Sequence, residues 1–221
     1  MTSTPQSEAV VDLLGALAYG ELTAFERLAE DSSMAPDLLD KAELAAMACA
    51  EFRHHQMLSD RLVSLGADVS AAMRPFVTSF DEFHVRTRPA DWLEGLVKAY
   101  VGDGIAEDFY REVAGLVDEP TRALVLEVSA DTGHSEFVVD RVRRATAADP
   151  VVGGRLALWG RRIVGEALAQ AQRTVAEREA LARLLMGDGP APGVDLAGVT
   201  RLFARVTDRH SARMQALGLA A

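Results

Sequence analysis

The chain has 221 residues, which is enough to bury a substantial hydrophobic core. Its single cysteine, Cys49, excludes an internal disulfide, so we expect a reducing, cytoplasmic compartment. No uncharged apolar run approaches membrane-spanning length, and we therefore expect a soluble protein with no membrane contact. The formal net charge of −10 disfavours general binding to nucleic acids. Only the span 136–183 departs from this average, since it holds nine arginines against six acids.

Helical spacing of apolar residues runs through nearly the whole sequence, and no segment shows the two-residue alternation of a half-buried strand. The first two helices are predicted over 7–31 and 36–66, and a short turn joins them as an antiparallel hairpin. Residues 67–90 carry Pro75 and Pro89 among phenylalanines and are predicted to form an irregular but packed connection. At about 3.3 Å per extended residue, this connection is long enough to return along a helix of roughly 45 Å.

Four more helices follow in the prediction. The third and fourth helices, over 91–117 and 120–147, form a second hairpin. The fifth and sixth helices, over 152–186 and 195–217, form a C-terminal pair. The glycine- and proline-rich segment 187–193 separates the last two helices.

A hairpin, a long crossover and a second hairpin are the connectivity of ferritin-like bundles. The sequence therefore predicts an all-α fold, a ferritin-like four-helix bundle with a long crossover between its second and third helices and two extra C-terminal helices. We expect one domain over 1–221, with the bundle core at 1–147 and the helical pair at 148–221.

On two predicted helices an acid and a histidine three residues apart interrupt the apolar stripe. The second helix carries Glu51 and His54, and the fourth carries Asp131 and His134. Residues three apart lie on one face of a helix. The motif alone is weak, because this composition should produce it by chance about 0.7 times. Each of the two motifs lies on the second helix of a hairpin and in phase with the apolar stripe of that helix. These shared positions make the motif informative.

Inward-facing acids on the other two helices extend the set. Glu21 lies on the apolar stripe of the first helix, and the third helix offers Asp103 or Glu107. Asp103 ranks slightly ahead because glycines flank it, although Glu107 is placed symmetrically in its hairpin. Buried carboxylates need protons, partners or metal ions, and two divalent cations would neutralise four of them. The candidate ligands match the di-iron set of ferritin-like proteins: Glu21, Glu51, His54, Asp103, Glu107, Asp131 and His134.

Simpler interpretations stand beside the metal site. A lone core histidine is more often a hydrogen-bonded packing residue than a ligand. Asp131 is shorter than the usual glutamate, which weakens the second half of the site. We interpret His55 as a surface residue and the spacing from Asp81 to His84 as incidental, and we treat His210, Trp159, Arg161 and Arg162 as surface or packing residues.

The segments 51–54, 91–110 and 131–134 resemble actinobacterial ferritin-like proteins of the tRNA 2-methylthio-isopentenyl-adenosine hydroxylase-like family. The similarity extends to 158–162. The resemblance implies a ferritin-like fold and, as metal ligands, Glu21, Glu51, His54, Asp131 and His134. It also implies a hydroxylase in which reduced di-iron activates O2 and inserts one oxygen atom into the side chain of a modified adenosine.

Two classes of function follow. The first is an O2-dependent di-iron monooxygenase with two iron ions, or manganese, and an external electron donor. Its substrate would be a modified tRNA nucleoside or a small hydrophobic molecule, docked through a basic face of Arg141, Arg143, Arg144, Arg161 and Arg162. The alternative is a non-catalytic metal-binding or protein-interaction module, and a homodimer is compatible with both. A third interpretation is a bundle without metal, in which one acid is protonated and another is paired to Arg111.

Overall fold

The computed structural model describes residues 5–130, 134–186 and 196–221, and no strand occurs among them. This confirms the all-α prediction. The α-helices of the described chain are α1 Pro5–Asp31, α2 Leu38–Ser64, α3 Val69–Met73, α4 Val77–Arg86, α5 Trp92–Ala114, α6 Glu119–Val128, α7 His134–Ala148, α8 Pro150–Glu177, α9 Glu179–Met186 and α10 Leu196–Ala216. Across these ranges, none of the helices combines the length and the apolarity that a membrane span needs.

Aspartate side chains fix where many of the helices begin. At the start of α2, the Asp37 carboxylate accepts hydrogen bonds of 2.9 Å from the backbone N–H groups of Leu39 and Asp40. The same role is filled at α3, α5, α6 and α8 by Asp68, Asp91, Asp118 and Asp149. Gly66 ends the α2 turn at φ 75°, a conformation that glycine adopts without a steric penalty.

The crossover between α2 and α5 is helical, so the prediction of irregular structure is wrong there. It consists of α3, a 3-10 turn at Arg74–Phe76, and α4. Pro75 occupies the first turn of the 3-10 segment, where a missing N–H costs nothing. Phe76, which is 1% exposed, anchors the crossover in the core.

Two predicted helices are each divided in the structure. The predicted fourth helix becomes α6 and α7, with residues 131–133 between them lying outside the described part of the chain. The predicted fifth helix becomes α8 and α9, because Arg178 adopts an extended conformation at φ −114° and ψ 94°. The Arg178 guanidinium donates two hydrogen bonds, of 3.0 and 2.5 Å, to the carboxylate of Asp12 on α1.

The helices α1 and α2 pack against each other along the first hairpin, and α5 contacts α6, α7, α8 and α10. Thus α8 lies along α5, and α9 covers part of α1. Trp159 of α8 is buried and donates a 2.9 Å hydrogen bond to the Glu94 carbonyl, as expected of a packing residue. The buried carboxylate of Asp108 on α5 pairs with Arg209 and Arg213 on α10. The C-terminal helices are therefore integral to the wall around α5.

Candidate metal centre

The first hairpin brings Glu21 of α1 together with Glu51 and His54 of α2. His54 Nδ1 lies 3.6 Å from Oε2 of Glu21 and 3.6 Å from Oε2 of Glu51. One ligand atom from each residue falls within 4.8 Å of the others. The three side chains are 12, 18 and 16% exposed, in the order Glu21, Glu51, His54. The fold therefore contains a possible carboxylate/histidine metal-binding cluster.

Burial and mutual repulsion make this cluster hold protons tightly. The pKa of Glu21 is raised well above its usual value, first by burial and then by the neighbouring Glu51 carboxyl. The two acids raise the pKa of His54 to about 10, because they stabilise its protonated form. Without a bound cation, the protons that these groups retain reduce the repulsion between the two carboxyl groups.

The third-helix candidates, Asp103 and Glu107, both line the cavity that the cluster faces. Neither belongs to the group of three closely spaced donors found among the described residues. The pKa of Asp103 is raised well above its usual value by burial and by the charges of Glu51 and Glu107. Glu107 is half-buried, and its Oε2 lies 3.1 Å from Nη2 of Arg111. Arg111 therefore pairs with Glu107, as one interpretation of the sequence allowed.

Two predicted ligands lie wholly or partly outside the described residues. Asp131 lies outside the described residues, and of His134 only the backbone is described, as the first residue of α7. Ala130 and Ser135, which flank them in the sequence, both line the cavity.

The cavity beside the cluster has a volume of about 480 Å³, within the usual range for small-molecule sites. Most of its lining residues are aliphatic or aromatic. Gly20 lets the Tyr110 hydroxyl approach α1 next to Glu21, since a Cβ at position 20 would lie 3.2 Å from that oxygen. Gly102 faces open space, because a Cβ there would meet nothing within 4 Å.

Sequence reasoning missed the residues at another part of this cavity. Lys98 of α5, Asp31 of α1 and His84 of α4 all line it, and the first two are buried. The spacing of Asp81 and His84 gave no sign of this role. His55, predicted at the surface, is half-buried, and its Nδ1 lies 2.7 Å from the Ala18 carbonyl oxygen.

The arginines of the predicted basic face are partly engaged within the protein. Arg141 forms a 2.7 Å ion pair with the buried Asp40, and Arg144 pairs with Asp140 at 2.9 Å. Arg143 and Arg161 donate to backbone carbonyls near the C-terminus, and Arg162 lies over the Trp159 ring. Only part of this charge is free to meet an anionic partner.

The residues of the cluster fit a transition metal. Two carboxylates and an imidazole are the donor types that iron, manganese and zinc accept in proteins. Burial and the neighbouring Glu51 carboxyl raise the pKa of Glu21, so the protein's own groups disfavour two ionised carboxylates at this point. A divalent ion would replace the protons of these groups and remove the repulsion.

Comparison with known families agrees with the fold. The model for the ferritin-like domain of actinomycetes matches residues 5–188, which include α1 to α9 and every candidate ligand. A comparison with curated proteins gives no match. The narrower similarity to tRNA hydroxylases stays a prediction. The chain belongs to the family of actinomycete ferritin-like domains.

Proposed function

We propose that the protein is a non-haem di-iron oxygenase that hydroxylates a small hydrophobic substrate. The observation that carries the proposal is the Glu21, Glu51 and His54 cluster at the wall of a largely apolar cavity of about 480 Å³. A storage or purely structural metal site needs no such cavity. A hydroxylase needs one, to hold an unactivated carbon next to the oxidant and to exclude water.

In this proposal Glu21, Glu51 and His54 hold one iron ion, while Asp103, Asp131 and His134 contribute to the second. Asp103 is favoured over Glu107 because the charge of Glu51 acts on its carboxyl group, whereas Glu107 is paired with Arg111. Manganese is the alternative metal, since it accepts the same donors.

Bound iron would supply the reduction of O2, with electrons from an external cytoplasmic donor. The chain's own residues bind the substrate and exclude water from the site. The apolar walls position the substrate, and Tyr110 keeps its proton, because burial and the nearby acids raise its pKa. The Tyr110 hydroxyl is therefore a neutral hydrogen-bond donor beside the cluster.

A small substrate is favoured over a tRNA nucleoside. The arginines that would dock tRNA include Arg141, which is bound to Asp40, and Arg144, which is bound to Asp140. Polyanion binding depends on the number of cations that contact phosphates, so this face would bind tRNA weakly.

The test is anaerobic loading with Fe(II), followed by measurement of metal content and of O2 uptake. We expect two iron ions per chain and rapid O2 consumption in the wild type. Glu51→Gln should lose both. Glu43→Gln, on an exposed residue of the same helix, should change neither. Metal binding without O2 uptake would instead support the non-catalytic module.

A second comparison separates the third-helix candidates. Asp103→Asn should reduce the iron content to about one ion per chain, and Glu107→Gln should leave it unchanged. The reverse result would assign Glu107 as the ligand.

A further inference from the structure

Lys98 is an unusual residue for this chain. The sequence contains only two lysines, Lys41 and Lys98, against 21 arginines. Lys41 is exposed, whereas Lys98 is 6% exposed and lines the cavity. Its Nζ atom is buried and has no hydrogen-bond partner. A buried ammonium group without a partner is unfavourable unless a ligand supplies one.

The neighbours of Lys98 do not supply a hydrogen-bond partner for its ammonium group. Asp31 is the acid with the largest effect on the pKa of Lys98, but the two side chains form no ion pair within 4.0 Å in the described part of the chain. The Phe83 ring lies 5.9 Å from Nζ. His84 Nδ1 is also buried and has no hydrogen-bond partner. Two nitrogen atoms that can donate hydrogen bonds therefore lie unused at the same cavity.

We define the Lys98 end of the cavity by four lining residues that act on one another electrostatically, Arg27, Asp31, His84 and Lys98. Burial lowers the pKa of His84 to about 3, so its imidazole is neutral. The charged groups of this end are Lys98, Asp31 and Arg27, and Arg27 is paired with Glu30. The other end carries the carboxyl groups of Glu21, Glu51 and Asp103 together with His54. The two ends of the cavity therefore differ in the groups that they offer to a ligand.

The two ends are separated along α5. Lys98 and Asp103 are five residues apart, which corresponds to about 7.5 Å of helix rise. An anion entering the cavity is attracted by the unpartnered ammonium of Lys98, so the orientation that places its charged group at this end is favoured.

We propose that the Lys98 end of the cavity binds the carboxylate of an elongated apolar acid, whose hydrocarbon chain points toward Glu21, Glu51 and His54. This inference rests on the proposed function, because it names the substrate class of the same cavity. The Lys98 ammonium pairs with the carboxylate, and His84 donates a second hydrogen bond.

A carboxylate fits better than a phosphate. Arg27 is engaged with Glu30 at 2.8 Å, so Lys98 is the main cation available at this end. One ammonium and one neutral imidazole supply hydrogen-bond donors for the two oxygen atoms of a carboxylate. A phosphate dianion would need more donors and more positive charge.

The test compares octanoate with octanol, an uncharged molecule of the same chain length, by calorimetric titration. Metal-free protein is used, so that octanoate cannot bind by coordinating a metal. We expect the wild type to bind octanoate at least tenfold more tightly than octanol. Lys98→Met should abolish that preference and retain octanol binding, while Lys41→Met should behave as the wild type. Equal octanoate affinity in Lys98→Met and the wild type would overturn the proposal.

Failure of this inference can be told apart from failure of the proposed function. Iron content and O2 uptake are measured on the wild type and on Lys98→Met. Normal iron content with no octanoate preference in the wild type would refute only the carboxylate site. A Lys98-dependent preference for octanoate in a wild type that binds no iron would refute only the oxygenase.

Discussion

His54 Nδ1 on α2 lies 3.6 Å from Glu21 Oε2 on α1, so a single imidazole bridges the two helices of the first hairpin. The same nitrogen lies 3.6 Å from Glu51. Two buried acids on one imidazole form a site that must hold protons or a cation. Proton binding and metal binding at this point of the fold are therefore in competition.

Metal affinity should rise with pH. The metal-free site retains protons because the pKa of Glu21 is raised well above its usual value and that of His54 is raised to about 10. A metal ion must displace them, so affinity for Mn(II) should increase by about tenfold per pH unit for each proton released, between about pH 6 and 8. Equilibrium dialysis measures this directly.

Glu21→Gln provides the comparison for the pH effect. It removes one titrating ligand, so its Mn(II) affinity should be lower and should depend less on pH. An affinity for Mn(II) in the wild type that does not change with pH would show that the cluster is already deprotonated when empty.

Lys98→Met should stabilise the protein at neutral pH. Burial lowers the pKa of Lys98 from 10.5 to about 8, which means that the folded state disfavours the ammonium. The resulting penalty is complete below about pH 8, declines as the pH rises toward the unfolded-state value, and then vanishes. We expect a gain of about 2–3 kcal/mol in the free energy of unfolding at neutral pH, measured with urea.

Lys41→Met is the matched variant for this measurement, because Lys41 is exposed. It should change stability little and show no comparable dependence on pH. If Lys98→Met instead loses stability at neutral pH, the Lys98 ammonium is paired within the folded protein.

Periodicity predicts the long helices well, because α1, α2 and α5 bury a continuous stripe. The prediction fails where contacts between distant parts of the chain determine the local conformation. The break at Arg178 has no glycine or proline to announce it, and the partner that holds it, Asp12, lies 166 residues earlier. The crossover differs from the prediction for the opposite reason, since Pro75 begins a helical turn rather than ending one.

The candidate site was predictable in part. Glu21, Glu51 and His54 stand out because each is polar on an otherwise apolar stripe. Lys98 was not found, because its environment is formed by Asp31 and His84 from two other helices. The scarcity of lysine in an arginine-rich chain was the one available signal, and it does not reveal burial.

Gly20→Ala should destabilise the protein through Tyr110. The added Cβ would lie 3.1 Å from Phe80 Cε1 and 3.2 Å from the Tyr110 oxygen. Overpacking should outweigh the better helix propensity of alanine by about 1 kcal/mol. In a Tyr110→Phe background the loss should shrink, which a double-mutant cycle measures by thermal unfolding.

Gly102→Ala is the control for helix propensity, because its Cβ would meet nothing within 4 Å. It should stabilise α5 by up to about 1 kcal/mol. An equal loss of stability from Gly20→Ala in the wild-type and the Tyr110→Phe backgrounds would show that the Tyr110 hydroxyl does not restrict α1.

Arg178→Ala should loosen α9 from α1. Asp12 is buried, and removal of its partner leaves an unpaired carboxylate, at a cost of about 2 kcal/mol given that Arg178 is partly exposed. Without this contact α9 should open more often, so hydrogen exchange of its amides should accelerate. The opening also affects the cavity, because Leu181, Leu184 and Leu185 of α9 line it. Arg183→Ala removes only an exposed pair with Glu179 inside α9 and should cost less than about 0.5 kcal/mol. Equal losses in the two variants would show that the contact with Asp12 does not hold α9 in place.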